Sequence, residues 1–270
     1  MITVGIDLAS QPERTGACRL QWTAGRATVL ELPTRVSNEE FRALIRAPAE
    51  KIGIDVPLGW PTAFVEAVTR HANGQPFGSA SVRSPKELTH RATDRALGKA
   101  GRGWPLSVSA DRIAYPAMRA ACLLGDIDGG VDRSGQGRVV EVYPAAALRA
   151  WDLPHQKYKG PANRSGLEGL LTALLDQAPW LVPTSAQRAQ LTENDNCADA
   201  LIAALVARAA ALGLCEPIPA EQMEVAQREG WIAVPQPDSL PWLAAVASAD
   251  GRAETPLPAN ADAIPQHPAR

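Results

Sequence analysis

The sequence predicts an α/β fold, and three observations point to it. Short runs in which apolar and polar or small residues alternate occur at 2–9, 17–22, 27–32, 51–57 and 138–144, the period-two signature of half-buried strands. Segments with apolar residues three and four apart lie around 41–45, 167–175 and 193–212, as amphipathic helices require. The 270 residues are 46% hydrophobic and 21% charged, which excludes collagenous, coiled-coil and wholly disordered chains. The predicted architecture is a central mixed five-stranded sheet flanked by helices, with a mainly helical, basic insertion at about 58–137 between the fourth and fifth strands. This unit spans 1–237, and the Pro- and Ala-rich tail 238–270 reads as flexible.

Taken in order, ITVGIDLA opens the chain as a strand with Ile2, Val4, Ile6 and Leu8 on one face. ACRLQW and ATVLEL, joined by Thr23-Ala24-Gly25-Arg26, read as a hairpin. Ser37 and Glu40 form a capping box ahead of Phe41, Leu44 and Ile45. KIGIDVP is a strand that Pro57 stops, because proline cannot donate to a ladder. Within the insertion, one helix opens at Ser84-Pro85-Lys86-Glu87 and another covers 110–124. The segment 125–137 is a loop: Asp126, Asp128 and Asp132 resemble part of a calcium loop, but Gly137 stands where its closing Glu is required. RVVEVYP returns as a strand. Ser165 and Glu168 make a second capping box before Leu167, Leu170, Leu171, Leu174 and Leu175. A long helix runs from about 193 to 212 and ends at Gly213. A helix at 219–229 and a short strand at 230–235 follow.

Net charge is -2 with pI near 6.1, so bulk charge does not make the chain a nucleic-acid-binding polycation. Locally the balance reverses: segment 83–119 sets Arg83, Lys86, Arg91, Arg95, Lys99, Arg102, Arg112 and Arg119 against Glu87, Asp94 and Asp111. That segment reads either as a phosphate-binding surface or as a solvated helical face. Trp60, Trp104 and Tyr115 flank it and suit base stacking as well as packing. Cys18, Cys122, Cys197 and Cys215 form no CxxC pair, which predicts free thiols and a cytoplasmic location, and no apolar run has signal-peptide or membrane-span length.

Three strand-like segments each carry one carboxylate among uncharged neighbours: Asp7 in VGIDLA, Asp55 in IGIDVP and Glu141 in VVEVYP. A carboxylate in a buried strand is costly unless it is paired, hydrogen-bonded or bound to metal. Each sits toward the C-terminal end of its strand, the edge where open α/β sheets bind ligands. Asp195 and Asp199, four apart on the long helix, share one helix face. Such a cluster repels itself, two charges ~4 Å apart costing about 4 kcal/mol at an effective dielectric of 20. Oxygen-only ligands without histidine favour Mg²⁺ or Mn²⁺ over Zn²⁺, and two such ions suit phosphodiester hydrolysis. The set Asp7, Asp55, Glu141 and Asp199, with Asp195 as a possible fifth member, is therefore the candidate catalytic and metal-binding group of a nuclease. Structural roles compete at single positions. Glu141 also suits pairing with an Arg of the insertion, and Asp195 also suits the helix dipole with Thr192 as N-cap.

The chain resembles a bacterial and archaeal family of uncharacterised proteins described as predicted nucleases of RNase H fold. The resemblance rests on GIDLA (5–9), IGIDVPLGWP (52–61), RATDRALG (91–98), PLSVSADRI (105–113), EVYPAAALR (141–149), Lys157-Tyr158-Lys159-Gly160, ENDNCADALIAALVARA (193–209) and EGWIAVP (229–235). It implies an RNase H-like sheet with three antiparallel strands followed by two parallel ones, and acidic positions matching Asp7, Asp55 or Glu141, and Asp195 or Asp199. It also implies substrate contacts by Arg91, Thr93, Asp94 and Lys159, to which the basic segment adds Arg112. One departure is Asn196, where a paired Asp-Asp is usual, so the number of metal ions is left open. The resulting expectation is a Mg²⁺- or Mn²⁺-dependent nuclease with DNA or RNA as substrate. An actin-like or sugar-kinase-like phosphotransferase, and a catalytically inactive nucleic-acid-binding protein of the same fold, are the alternatives.

Overall fold

The computed structural model describes residues 1–78, 85–127 and 130–244. Among these residues seven strands form one sheet: β1 (Ile2–Asp7), β2 (Gly16–Thr23), β3 (Arg26–Glu31), β4 (Lys51–Asp55), β5 (Val139–Val142), β6 (Leu181–Val182) and β7 (Ile232–Ala233). Their order is β6-β3-β2-β1-β4-β5-β7. β1, β2 and β3 pair antiparallel, whereas β4, β5 and β7 run parallel to β1, and β6 runs parallel to β3. The expected count of five strands is corrected to seven. Both additions are dipeptide strands at the sheet edges: β7 falls within the short strand read at 230–235, whereas Leu181–Val182 is too short to show a period.

Ten helices accompany the strands among the described residues: α1 (Asn38–Arg46), α2 (Thr62–Ala72), α3 (Pro85–Thr89), α4 (Ala92–Lys99), α5 (Ala114–Leu124), α6 (Pro144–Ala150), α7 (Arg164–Gln177), α8 (Ser185–Glu193), α9 (Asp195–Ala211) and α10 (Met223–Glu229). Elements α2 to α5 lie between β4 and β5, so the insertion is helical as its sequence indicates. The Ser37–Glu40 capping box is formed as read. Elsewhere the caps differ. α7 starts from a 3-10 turn at Pro161–Asn163, and neither Ser165 nor Glu168 caps it. The long helix breaks at Asn194, which ends α8 and caps α9 by accepting from the N–H groups of Asn196 and Cys197. Thr192 instead bonds back into α8. α5 begins at Ala114, because Asp111 accepts the Ser107 N–H and holds the preceding residues in a turn. Ser84, Arg83 and Asp128 lie outside the described residues. Residues 238–244, assigned to the tail from sequence, include a 3-10 turn (Leu240–Ala244) that buries Leu240 and Leu243 in the core; 245–270 lie outside the described residues.

Strand alternation divides the core in two. Val4, Ile6, Ile52, Ile54 and Val139 point to a layer containing Phe41, Ile45, Ala117 and Ala120 of α1 and α5. Cys18, Leu20, Trp22, Val140 and Val142 point the other way, onto α7 and α9. α9 is apolar around nearly its whole circumference, as a helix enclosed by a domain core must be. It lies directly on the sheet backbone. A Cβ on Gly5 would fall less than 3.0 Å from the Ala200 carbonyl and Ala204 nitrogen, and one on Gly53 less than 3.0 Å from the Ala203 carbonyl. The two glycines and the alanine-rich face of α9 together set the approach. Among the described residues no helix is long and apolar enough to cross a membrane.

Candidate metal centre at the ends of strands one and four

The two GID tripeptides sit side by side. β1 and β4 pair in parallel with Gly5 opposite Gly53 and Asp7 opposite Asp55. Equivalent positions on adjacent strands share a face, so both aspartates project to the side on which the glycines admit α9. One turn into that helix, Asp199 meets them. One carboxylate oxygen from each of Asp7, Asp55 and Asp199 lies within 4.8 Å of the others. Three residues separated by up to 192 positions in sequence thus converge at the strand ends, as the acid pattern indicates.

Asp199 is 1% exposed, and both its oxygens are occupied. Oδ1 accepts from the Tyr158 hydroxyl at 2.8 Å, and Oδ2 pairs with the Lys159 ammonium. The loop carrying these two residues is tied to the same helix a second time, through the Gly160 N–H donating to Asp195 Oδ2 at 2.9 Å. Asp195 consequently anchors the loop and, one turn before Asp199, lies outside the acid trio. Lys159 was expected to meet substrate phosphate; its primary partner is Asp199. Tyr158 is a part of this cluster that the acid pattern does not indicate, and the Lys157-Tyr158-Lys159-Gly160 step is the sequence signal that contains it.

The electrostatics follow from burial of like charges. Asp7 is raised well above the usual carboxylate range by burial, then by Asp55 and Asp199, with Lys159 acting in the opposite direction. Asp55 is pushed up to about 7, chiefly by burial, against the pull of Lys159. Burial disfavours the Lys159 charge, but Asp199 and Asp55 outweigh it and hold the ammonium protonated above the ordinary lysine range. Tyr143, at the exit of β5, is raised by burial and by Asp55. No hydrogen bond or ion pair from the described residues reaches the carboxylates of Asp7 or Asp55. Burial beside like charges therefore disfavours ionisation of these two groups, a cost that a cation would relieve.

Glu141 does not join the trio, and register gives the reason. It pairs with Ile54, not Asp55, so its side chain points to the opposite face of the sheet. There it is 2% exposed and accepts from Arg91 at 2.6 and 2.7 Å and from the Leu58 N–H at 2.9 Å. This is the pairing with an insertion arginine that was the alternative for Glu141. Arg91 and Asp94 are themselves buried, with Asp94 accepting from Arg91 at 2.9 and 3.1 Å. Thr93 Oγ1 accepts the Ile232 N–H. Glu229, which drew no attention in the sequence, is 4% exposed and accepts from the N–H groups of Thr62 and Ala92. The expected substrate contacts by Arg91, Thr93 and Asp94 are corrected: these side chains fasten the insertion to β5 and β7. Glu141 and Leu58 also fix the turn leaving Asp55.

The basic segment is likewise partly structural. Arg119 binds the carbonyls of Ala9 and Val36 and the hydroxyl of Thr15, and Arg102 pairs with Glu216. Lys86, Lys99 and Arg112 remain exposed. Trp104 and Tyr115 are exposed too, and the Lys86 ammonium lies 4.5 Å from the Trp104 ring centroid. Trp60 is partly buried against the α1–α5 layer.

No curated protein matches the chain, and no solved structure matches it. A family described as "Protein of unknown function (DUF429)" does match, over residues 5–224, a span that holds both GID tripeptides, the insertion, the Tyr158–Lys159 loop and α9. The chain belongs to that family of uncharacterised proteins.

Proposed function

We propose that this protein is a divalent-metal-dependent hydrolase of phosphodiester bonds in nucleic acid, on a sheet of the RNase H-like type. The observation that carries the reading is the convergence of Asp7, Asp55 and Asp199 within 4.8 Å at the C-terminal ends of β1 and β4. The strand order β3-β2-β1-β4-β5, antiparallel and then parallel, supports the fold assignment.

The donor set fits Mg²⁺ or Mn²⁺, since all three groups offer oxygen and neither sulfur nor imidazole joins them. When bound, the ion supplies Lewis acidity for an in-line displacement at phosphorus. The chain's own residues supply the rest. Asp7 and Asp55 offer carboxylates without hydrogen-bond donors of their own, Tyr158 orients Asp199, and Lys159 brings a permanent positive charge to the place a phosphate would enter. Lys86, Lys99 and Arg112, with Trp104 and Tyr115, provide exposed charge and ring faces of the kind single-stranded nucleic acid uses.

The test is cleavage of labelled single-stranded, double-stranded, hybrid and branched oligonucleotides with Mg²⁺ or Mn²⁺, comparing the wild type with Asp7→Asn and Asp199→Asn. Cleavage that depends on the metal and falls at least about a hundredfold in both variants supports the assignment. Cleavage undiminished by both substitutions refutes it.

A further inference from the structure

We propose that Lys159 takes the place of a second metal ion, so that the site holds one divalent cation per chain instead of two. This rests on the metal-site reading above and specifies its stoichiometry.

Three features of the cluster lead to it. First, Asp199 is already committed: Tyr158 occupies one oxygen and Lys159 the other. A carboxylate that bridges two metal ions with one oxygen on each needs both oxygens free, and here the chain itself engages them. Second, Asp7 and Asp55 receive no hydrogen bond or ion pair from the described residues, which leaves this neighbouring pair as the open ligands. Third, the charges balance for one ion. With the three carboxylates ionised, as cation binding requires of its ligands, the trio and one ammonium leave two negative charges, which a single divalent cation neutralises; two such ions beside Lys159 would overshoot by two positive charges.

Lys159 is not a surface lysine that has fallen into an acidic patch. Tyr158, 2% exposed, anchors the loop on one side, and the Gly160 N–H bond to Asp195 anchors it on the other. Asp195 and Asp199 stand one helical turn apart on α9, so the helix grips the loop at both ends of Lys159. The Lys159 carbonyl is held as well, by the Asn163 side-chain amide at 2.8 Å. The backbone is fixed on all sides, while the lysine side chain remains 55% exposed, open toward an entering anion. A lysine so placed gives a phosphate a cation that is covalently part of the chain and cannot dissociate from the site.

The experiment uses the full chain and Mn²⁺. Isothermal titration gives the number of ions, and low-temperature electron paramagnetic resonance separates an isolated Mn²⁺, with its six-line spectrum, from an exchange-coupled pair. Wild type is expected to bind one Mn²⁺ with the isolated spectrum. Lys159→Met, which keeps the stem length and removes the charge, is expected to bind two with a coupled spectrum, and Lys159→Arg to remain at one. Circular dichroism and the thermal midpoint establish that each variant is folded, and Lys159→Gln provides a second neutral substitution. Two ions in the wild type, or one ion in both neutral variants, overturn the proposal while leaving the metal site standing. Absence of Mn²⁺ binding by the wild type at millimolar concentration overturns the metal site and this inference together.

Discussion

Asp55→Asn is expected to stabilise the metal-free protein at alkaline pH, the reverse of what replacing a well-paired buried carboxylate does. In the folded chain the Asp55 carboxyl is pushed up to about 7, mainly by burial, from an unfolded value of about 3.9. The folded state therefore binds the proton more tightly than the unfolded state between those two values. Stability from this group is full below the unfolded value, falls as pH rises, and is lost above the folded one. A displacement of that size corresponds to about 4 kcal/mol. Asparagine removes the charge but its amide must still be satisfied beside Asp7 and Asp199, so about 2 kcal/mol is the expected gain at pH 8. The assay is urea unfolding followed by tryptophan fluorescence, in a chelator, at pH 5, 6, 7 and 8. Wild type should lose stability across this range, and the variant should lose less and exceed it at pH 8. A variant no more stable than wild type at pH 8, or a wild type that gains stability from pH 5 to 8, refutes the reasoning.

Other consequences follow from the packing. Gly5→Ala and Gly53→Ala drive a methyl group into the backbone of α9, and each should cost at least about 3 kcal/mol by denaturant midpoint. Gly169→Ala in α7, where a Cβ meets open space, should instead add about 0.5–1 kcal/mol. Glu141→Gln breaks the buried pair with Arg91 and should cost about 3 kcal/mol, yet leave Mn²⁺ affinity within about threefold as read by calorimetry on the folded protein. Saturating Mn²⁺ should raise the thermal midpoint of wild type, by the equivalent of about 2.7 kcal/mol at a hundred times its dissociation constant, and have no such effect on Asp7→Asn.

Much of this arrangement is legible in the sequence because local and global signals coincide. Alternation marks β1 to β5, and the carboxylate at position 7 or 55 is conspicuous since its immediate neighbours in the strand are uncharged. The repeated GID tripeptide carries more than its aspartates: glycine two residues earlier, on the same face, makes room for the helix that delivers Asp199. Glu141 has the same local appearance as Asp55. Only inter-strand register, a one-residue matter of pairing with Ile54, sends it to the other face, and register is not a property of an isolated strand. Arg91 looks like part of a basic surface for a related reason. Its partners Asp94 and Glu141 stand 3 and 50 residues away, and the second of these is visible only once the insertion folds back. Of the dipeptide edge strands, β7 lies within the short strand legible at 230–235, whereas β6 has no period of its own and pairs because α7 leaves it beside β3.

Diffraction from crystals of the full chain soaked in Mn²⁺, collected at the manganese absorption edge, tests the metal centre most directly. One anomalous peak at roughly 2.0–2.3 Å from carboxylate oxygens of both Asp7 and Asp55, with the Lys159 ammonium still on Asp199, is the result predicted. A chain that shows no peak between those two aspartates, or carries its manganese elsewhere, contradicts it.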